Sequence, residues 1–153
     1  MSANYHNPVQ SVYGAGALSS LPKLLDGRRA ALVTFPEARA IGLLGRLESV
    51  LQGALACTID QTRPNPDVAE LASLYEWFWR EHADVEVLIA VGGGSAIDTA
   101  KALMVANDAT SFSDLVAGLA GERPFVPTRS KMLIAVPTTA GTGSEVTPWA
   151  TVW

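Results

Sequence analysis

The fold class this sequence predicts is α/β: a Rossmann-like open, mainly parallel sheet with helices on both faces. Three observations carry it. Apolar stretches of strand length alternate with segments of helical period. Two of those stretches, VEVLIAV and KMLIAV, are apolar over four or more consecutive residues instead of alternating, as strands are when helices cover both faces of a parallel sheet. A glycine triplet, Gly92-Gly93-Gly94, separates the first of these from a helical pattern.

The elements follow in order. NPVQSVYG is the first candidate strand and AALVTF the second, closing on Phe35. Leu43, Leu44, Leu47, Val50 and Leu51 then recur at helical spacing, with Arg46 and Glu48 on the other side. ALACTID is the third strand. It holds the sole cysteine, Cys57, which has no partner for an intrachain disulfide and reads as a buried reduced thiol. After Pro64-Asn65-Pro66-Asp67, with Asn65 as N-cap and Pro66 at the first helical position, Val68, Leu71, Leu74, Tyr75 and Phe78 carry a second helix to Glu81. VEVLIAV is followed by a third helix from Ser95, turning Ile97, Ala100, Leu103, Met104 and Val105 inward. Asn107 to Arg129 is a less regular connection with a short helix around Phe112 to Val116. KMLIAV is the last strand and must stop at Pro137, which has no N–H for a continued ladder.

Length and composition narrow the function. A chain of 153 residues suits one domain, 1–153, and with 48% hydrophobic and 17% charged residues it has the material for a packed core. A net charge of −4 gives no electrostatic reason to approach nucleic acid. No apolar run reaches the roughly 18–20 residues of a membrane span, and MSANYHNPVQ has no basic region followed by an apolar one, so the cytoplasm is the default address. His6 and His82 lack any paired spacing and read as surface or loop residues, with no metal site expected on this chain.

The glycine triplet is the main functional signal. Glycines let a ligand approach the backbone without meeting a Cβ, and here they precede a helix N-terminus, whose free N–H groups and dipole favour a phosphate or pyrophosphate. Ser95 and Asp98 stand at capping-box spacing. The turn matches neither the dinucleotide fingerprint with glycines at positions one, three and six nor a Walker A loop, because Lys101 follows Ala100; Lys101 is expected to face solvent. The structural alternative is a tight strand-to-helix turn with no ligand.

A second polar loop, Pro137-Thr138-Thr139-Ala140-Gly141-Thr142-Gly143-Ser144-Glu145, crowds four hydroxyls into seven positions. It reads either as an ordinary turn, with Thr142 and Glu145 at another capping-box spacing, or as a loop that meets the glycine turn at the same sheet edge and wraps the same ligand. Asn65 is expected at that edge as well.

Taken together, GGGSAIDTAK, PTTAGTGSEVT and RPNPD, in that spacing and after the opening NPVQSVYGAGALSSLPKLL, resemble the N-terminal nucleotide-binding domain of the iron-containing (group III) alcohol dehydrogenases. The resemblance implies a dehydroquinate-synthase-like protein with NAD or NADP in an α/β domain. It also implies a divalent metal, Fe or Zn, held by an aspartate and histidines of a helical C-terminal domain that is absent from this chain. It implies that the Gly92, Gly93, Gly94 and Ser95 turn, with Asp98 behind it, cradles the pyrophosphate, that Thr138, Thr139 and Thr142 close over the cofactor, and that Asn65 and Trp149 line the same site. Where members that favour NAD often carry an acidic residue at the end of the second strand, this chain has Phe35, which removes a charge that would repel a 2′-phosphate and leaves NAD and NADP both open.

The implied function is hydride transfer between nicotinamide and a small alcohol or aldehyde by a homo-oligomer, a dimer in the intact protein, with the 153 residues alone catalytically incomplete. The TPWATVW ending looks like the branch that reduces phosphonoacetaldehyde. The alternatives are a metal-independent maleylacetate reductase-like enzyme, a dehydroquinate or glycerol-phosphate type enzyme of the same fold, and a free-standing nucleotide-binding or interaction module.

Overall fold

The computed structural model describes residues 8–64 and 67–151. Four parallel strands form the main sheet: β1 (Ala30–Val33), β2 (Leu55–Ile59), β3 (Val87–Gly92) and β6 (Met132–Pro137), in the order β2-β1-β3-β6. The helices are α1 (Leu21–Leu25), α2 (Leu43–Leu51), α3 (Val68–Glu81), α4 (Gly94–Leu103) and α5 (Phe112–Leu119). Two two-residue strands, β4 (Val105–Ala106) and β5 (Arg129–Ser130), pair antiparallel beside the main sheet.

Period-two alternation along each strand divides the core into two layers. Ala31 and Val33 of β1 and Leu88 and Ala90 of β3 face α3, α4 and α5, where Leu71, Tyr75, Phe78, Ile97, Leu103 and Phe112 are buried. Ala30 and Leu32 of β1 and Val87, Ile89 and Val91 of β3 face the other way, onto Leu21 and Leu25 of α1 and Leu44, Leu47 and Leu51 of α2. Both faces of β3 are therefore covered and all six of its residues are buried, the arrangement its unbroken apolar run predicts. β6 has the same composition but lies at the sheet edge and is only half-buried.

Several expectations need correction. Residues 8–13 form no strand; Val9, Val12 and Tyr13 are 45%, 48% and 93% exposed, so the alternating pattern there has no face to bury against. Asn65 and Pro66 lie outside the described residues. The N-cap of α3 is Asp67, whose Oδ1 accepts from the N–H of Ala69 at 2.7 Å and of Glu70 at 3.4 Å. Val68, read as inward-facing, is exposed. The short helix α5 runs three residues beyond Val116, with Ser111 as its cap. Met104 ends α4 as its C-cap and Val105 enters β4.

The topology selects one place on the sheet. From β1 the chain crosses to β2 on one side and then returns to β3 on the other, so the strand order reverses between β1 and β3. In open α/β sheets the crevice beyond the carboxyl ends of such a strand pair is where ligands lie. Thr34 stitches this point together: its Oγ1 donates to the Val91 carbonyl at 2.8 Å, its N–H to Ile59, and its carbonyl accepts from Thr62.

Candidate functional site

At the reversal point Phe35 leaves β1 and Gly92 ends β3. A Cβ on Gly92 would stand 2.8 Å from the Ala96 Cβ and 3.3 Å from the Phe35 ring, so only glycine permits this approach of ring, strand end and helix. Gly93 is the N-cap of α4 in an extended conformation, and among the described residues no side-chain cap hydrogen bond is made there. Ser95 is thus inside the helix, and the Ser95–Asp98 capping box does not form, because the chain turns into the helix two residues before Ser95.

The hydroxyl loop meets the glycine turn. Gly92 pairs with Pro137 across β3 and β6, and the Thr138 N–H donates to the Gly92 carbonyl at 2.9 Å, which brings the loop over the start of α4. A Cβ on Gly93 would lie 3.1 Å from Thr139 Oγ1, and one on Gly94 would lie 3.2 Å from Ser144 Oγ and 3.3 Å from Thr142 Cγ2. Thr138, Thr139 and Thr142 are all exposed. Instead of pairing with Glu145 in a box, Thr142 Oγ1 accepts from the Ser144 N–H at 3.4 Å, and the short 3-10 turn Ser144–Val146 takes Gly143 as its cap.

Lys101 corrects another expectation: it is buried. Its Nζ donates to the Trp149 carbonyl and, at 3.4 Å, to Thr147 Oγ1, and stands 3.8 Å from Asp98 Oδ1 one helical turn back. Asp98 Oδ2 accepts from the Thr151 N–H at 3.2 Å, while its Oδ1 has no hydrogen-bond partner. Burial lowers the Lys101 ammonium below the ordinary lysine value, opposed by the charges of Asp98 and Glu145. A signal for this pair was present: in GSAIDTAKAL, Asp98 and Lys101 stand at i, i+3 among small and apolar residues, so a helix buried along that side must take them in together.

The remaining candidates are more scattered. Trp149 is 77% exposed, and its carbonyl is the part that is held. His82 ends α3, its ring packed between Trp77 and Phe78. Cys57 lies half-buried in β2, where burial pushes its thiol up to about 11. Thr62 and Thr99 carry buried hydroxyls without partners, a feature that the sequence pattern does not signal, and both line a cavity of about 610 Å³ beyond β2, with Asp60, Gln61 and Arg63. None of Gly92, Gly93, Gly94, Thr138, Thr139 or Thr142 lines that cavity. Among the described residues no group of three His, Cys, Asp or Glu side chains could hold a metal ion, and no helix is long and apolar enough to cross a membrane.

The arrangement is therefore a helix N-terminus with a glycine as its N-cap, at the reversal point of a parallel sheet, roofed by exposed hydroxyls. The family model for iron-containing alcohol dehydrogenase matches residues 8–153. Alcohol dehydrogenase 4 of Saccharomyces cerevisiae strain YJM789 is 32% identical over 94% of this chain, and 1,3-propanediol dehydrogenase of Citrobacter freundii 35% identical over 94%. The crystal structure of sulfoacetaldehyde reductase from Bifidobacterium kashiwanohense in complex with NAD+ superposes with a TM-score of 0.78 at 30% identity, covering 96% of this chain. The chain spans 37%, 38% and 39% of those three proteins, respectively. With a match to the family over almost its whole length and the family's glycine and threonine loops folded against each other, this chain belongs to the iron-containing alcohol dehydrogenases.

Proposed function

We propose that residues 1–153 are the dinucleotide-binding domain of an NAD(P)-dependent alcohol dehydrogenase or aldehyde reductase. The observation that carries this reading is the amino end of α4, which has a glycine as its N-cap and is covered by Thr139, Thr142 and Ser144 at 3.1–3.3 Å from where Cβ atoms of Gly93 and Gly94 would be. Backbone N–H groups and the helix dipole favour a pyrophosphate there, and the hydroxyls donate from above. Gly92, Gly93, Gly94 and Ser95 form the floor of the site, Thr138, Thr139 and Thr142 its cover, and Phe35 its wall on the β1 side. Asn65 and Trp149 are proposed to complete it. Bound in this cradle, a nicotinamide dinucleotide supplies the hydride acceptor or donor for interconverting an alcohol and its aldehyde. The NAD+ complex of the related sulfoacetaldehyde reductase supports the same reading.

Phe35 offers the cofactor no carboxylate to bind the ribose hydroxyls or to repel a 2′-phosphate, so NADP is admitted alongside NAD. The substrate class is a small alcohol or aldehyde. TPWATVW resembles the branch that reduces phosphonoacetaldehyde, which makes that aldehyde a candidate; the substrate in the relative's name, sulfoacetaldehyde, is of similar size and charge. Metal and most of the substrate pocket are assigned to the part of such a protein that this chain does not span. The dimer and the cytoplasmic address belong to the same proposal.

Titration of the protein with NADH and NADPH, followed by the quenching of protein fluorescence, tests the reading. Weak but saturable binding of both is expected from these 153 residues alone, with the two affinities within about tenfold of each other, and Phe35→Asp is expected to weaken NADPH selectively. Binding of neither would remove the proposal.

A further inference from the structure

We infer that Asp98 and Lys101 are positioning residues: a buried latch on the flank of α4 that holds the segment 147–151 and thereby keeps the threonine loop across the helix's amino end. The inference rests on the cofactor reading above for what the loop serves, and on geometry alone for the latch.

The segment after the turn Ser144–Val146 has no secondary structure, and its residues 147–151 are exposed. Nothing in its backbone pattern explains why it follows α4. Two side chains of that helix do: Lys101 Nζ donates to the Trp149 carbonyl and to Thr147 Oγ1, and Asp98 Oδ2 accepts from the Thr151 N–H. Both residues are buried, at 8% and 9% exposure, on a helix otherwise packed with small and apolar side chains, so a charge pair has been placed where apolar residues would bury at no electrostatic cost. Each is directed at the main chain of one short segment, which is what a retaining contact requires.

The threonine loop is thus anchored at both ends. At its start β6 pairs with β3, and the Thr138 N–H donates to Gly92. Beyond its far end stand the contacts made by Asp98 and Lys101. Between the anchors, Thr139, Thr142 and Ser144 lie over Gly93 and Gly94. Release of the far anchor leaves a loop fixed on one side only, and the roof over the amino end of α4 loses its definition. Glu145 adds to the latch: its Oε2 is buried without a hydrogen-bond partner, and its charge favours the Lys101 ammonium.

The test compares Lys101→Met, Thr151→Pro and the remote control Lys131→Met in the full 153-residue chain. Thr151→Pro deletes the N–H that Asp98 accepts and leaves α4 untouched, so it remains informative if Lys101→Met folds poorly. The first readout, amide hydrogen exchange of residues 138–151 together with chymotrypsin cleavage after Trp149, involves no cofactor. Loss of a hydrogen bond to a charged group should speed both about tenfold to a hundredfold in Lys101→Met, with a smaller rise in Thr151→Pro and none in Lys131→Met. Lys101→Arg, which keeps a donor, should recover part of the protection. The second readout is NADH affinity, expected to fall about tenfold in Lys101→Met. Unchanged exchange and cleavage in both latch variants would overturn the latch. Faster exchange with unchanged NADH affinity would overturn its role in positioning the loop for cofactor. If the parent chain binds neither NADH nor NADPH, the cofactor reading falls by itself, and the role for cofactor falls with it, while exchange still decides whether the latch exists.

Discussion

α3 and α4 each follow a strand of the parallel sheet, α3 after the eight-residue connection 60–67 and α4 directly, and their amino ends are built differently. Asp67 caps α3 with a carboxylate that takes two backbone N–H groups. Gly93 stands at the equivalent position of α4, brings no side chain, and lies under a loop of hydroxyls. An aspartate at an N-cap both satisfies donors and places negative charge at the positive end of the helix dipole, so the amino end of α3 is already neutralised by its own chain. That of α4 carries no such charge at its N-cap. The contrast supports the proposed site more directly than cavity volume does, since the 610 Å³ cavity lies along the capped helix and away from the glycine turn.

Making α4 resemble α3 gives the largest expected effect. The backbone of Gly93, at φ −78° and ψ −171°, suits an aspartate cap, and the added Cβ asks Thr139 to move a few tenths of an ångström. Gly93→Asp should retain the fold and weaken NADH binding about a hundredfold or more, because a carboxylate then opposes the phosphates. Fluorescence titration beside a thermal melt reads both quantities, and undiminished binding would mean that the anion sits elsewhere.

Making α3 resemble α4 is a smaller change in a different quantity. Asp67→Ala should lower stability by about 1 kcal/mol in urea denaturation and leave NADH affinity where it was. A comparable loss of affinity would show that the two helix ends are not separable.

A third and smallest effect sharpens the comparison from the opposite end of the sheet. Lys131, just before β6, donates to the carbonyls of Ala83 and Val85 at 3.0 and 2.6 Å and lies over the Trp79 ring at 4.2 Å. Burial pushes its ammonium down to about 8, with Arg129 adding to the fall and Glu86 opposing it. The unfolded chain therefore binds the proton more readily between about pH 8 and 10.5, so the contribution of Lys131 to stability rises with pH through that window and is lost as pH falls through 8. Cys57 and Tyr75, raised by burial to about 11 and 12, act in the opposite sense at high pH. The difference between the parent and Lys131→Met isolates the lysine: it should grow with pH from 8 to 10.5, and a flat difference would refute the assignment.

Much of this was legible from residue patterns, and the failures share a cause. VEVLIAV and KMLIAV announce their strands because a run of apolar residues that long must be covered on two sides, and Leu43 to Leu51 announces α2 by period alone. The meeting of the glycine and threonine loops follows from adjacent strands of equal length, which bring Gly92 level with Pro137. Local spacing misled wherever a partner distant in sequence decides the outcome. Ser95 and Asp98 have the spacing of a capping box, but Asp98 answers to Thr151, fifty-three positions on. Lys101 reads as a surface lysine until the segment 147–151 covers it. Val9, Val12 and Tyr13 alternate as a strand does, yet they join neither sheet and stay exposed.

β6 has a further consequence for handling the protein. It presents six residues, MLIAVP, with one edge unpaired among the described residues and its side chains half-covered. A short uncharged β-prone run with free backbone donors is where intermolecular strand addition and precipitation begin. The ammonium of Lys131, which flanks it, is directed inward onto Ala83 and Val85, so the charge that would normally guard such an edge is withdrawn, and Pro137 remains as the breaker within the run. For these residues on their own, strand addition is expected to begin at this edge, which runs at its carboxyl end directly into the threonine loop.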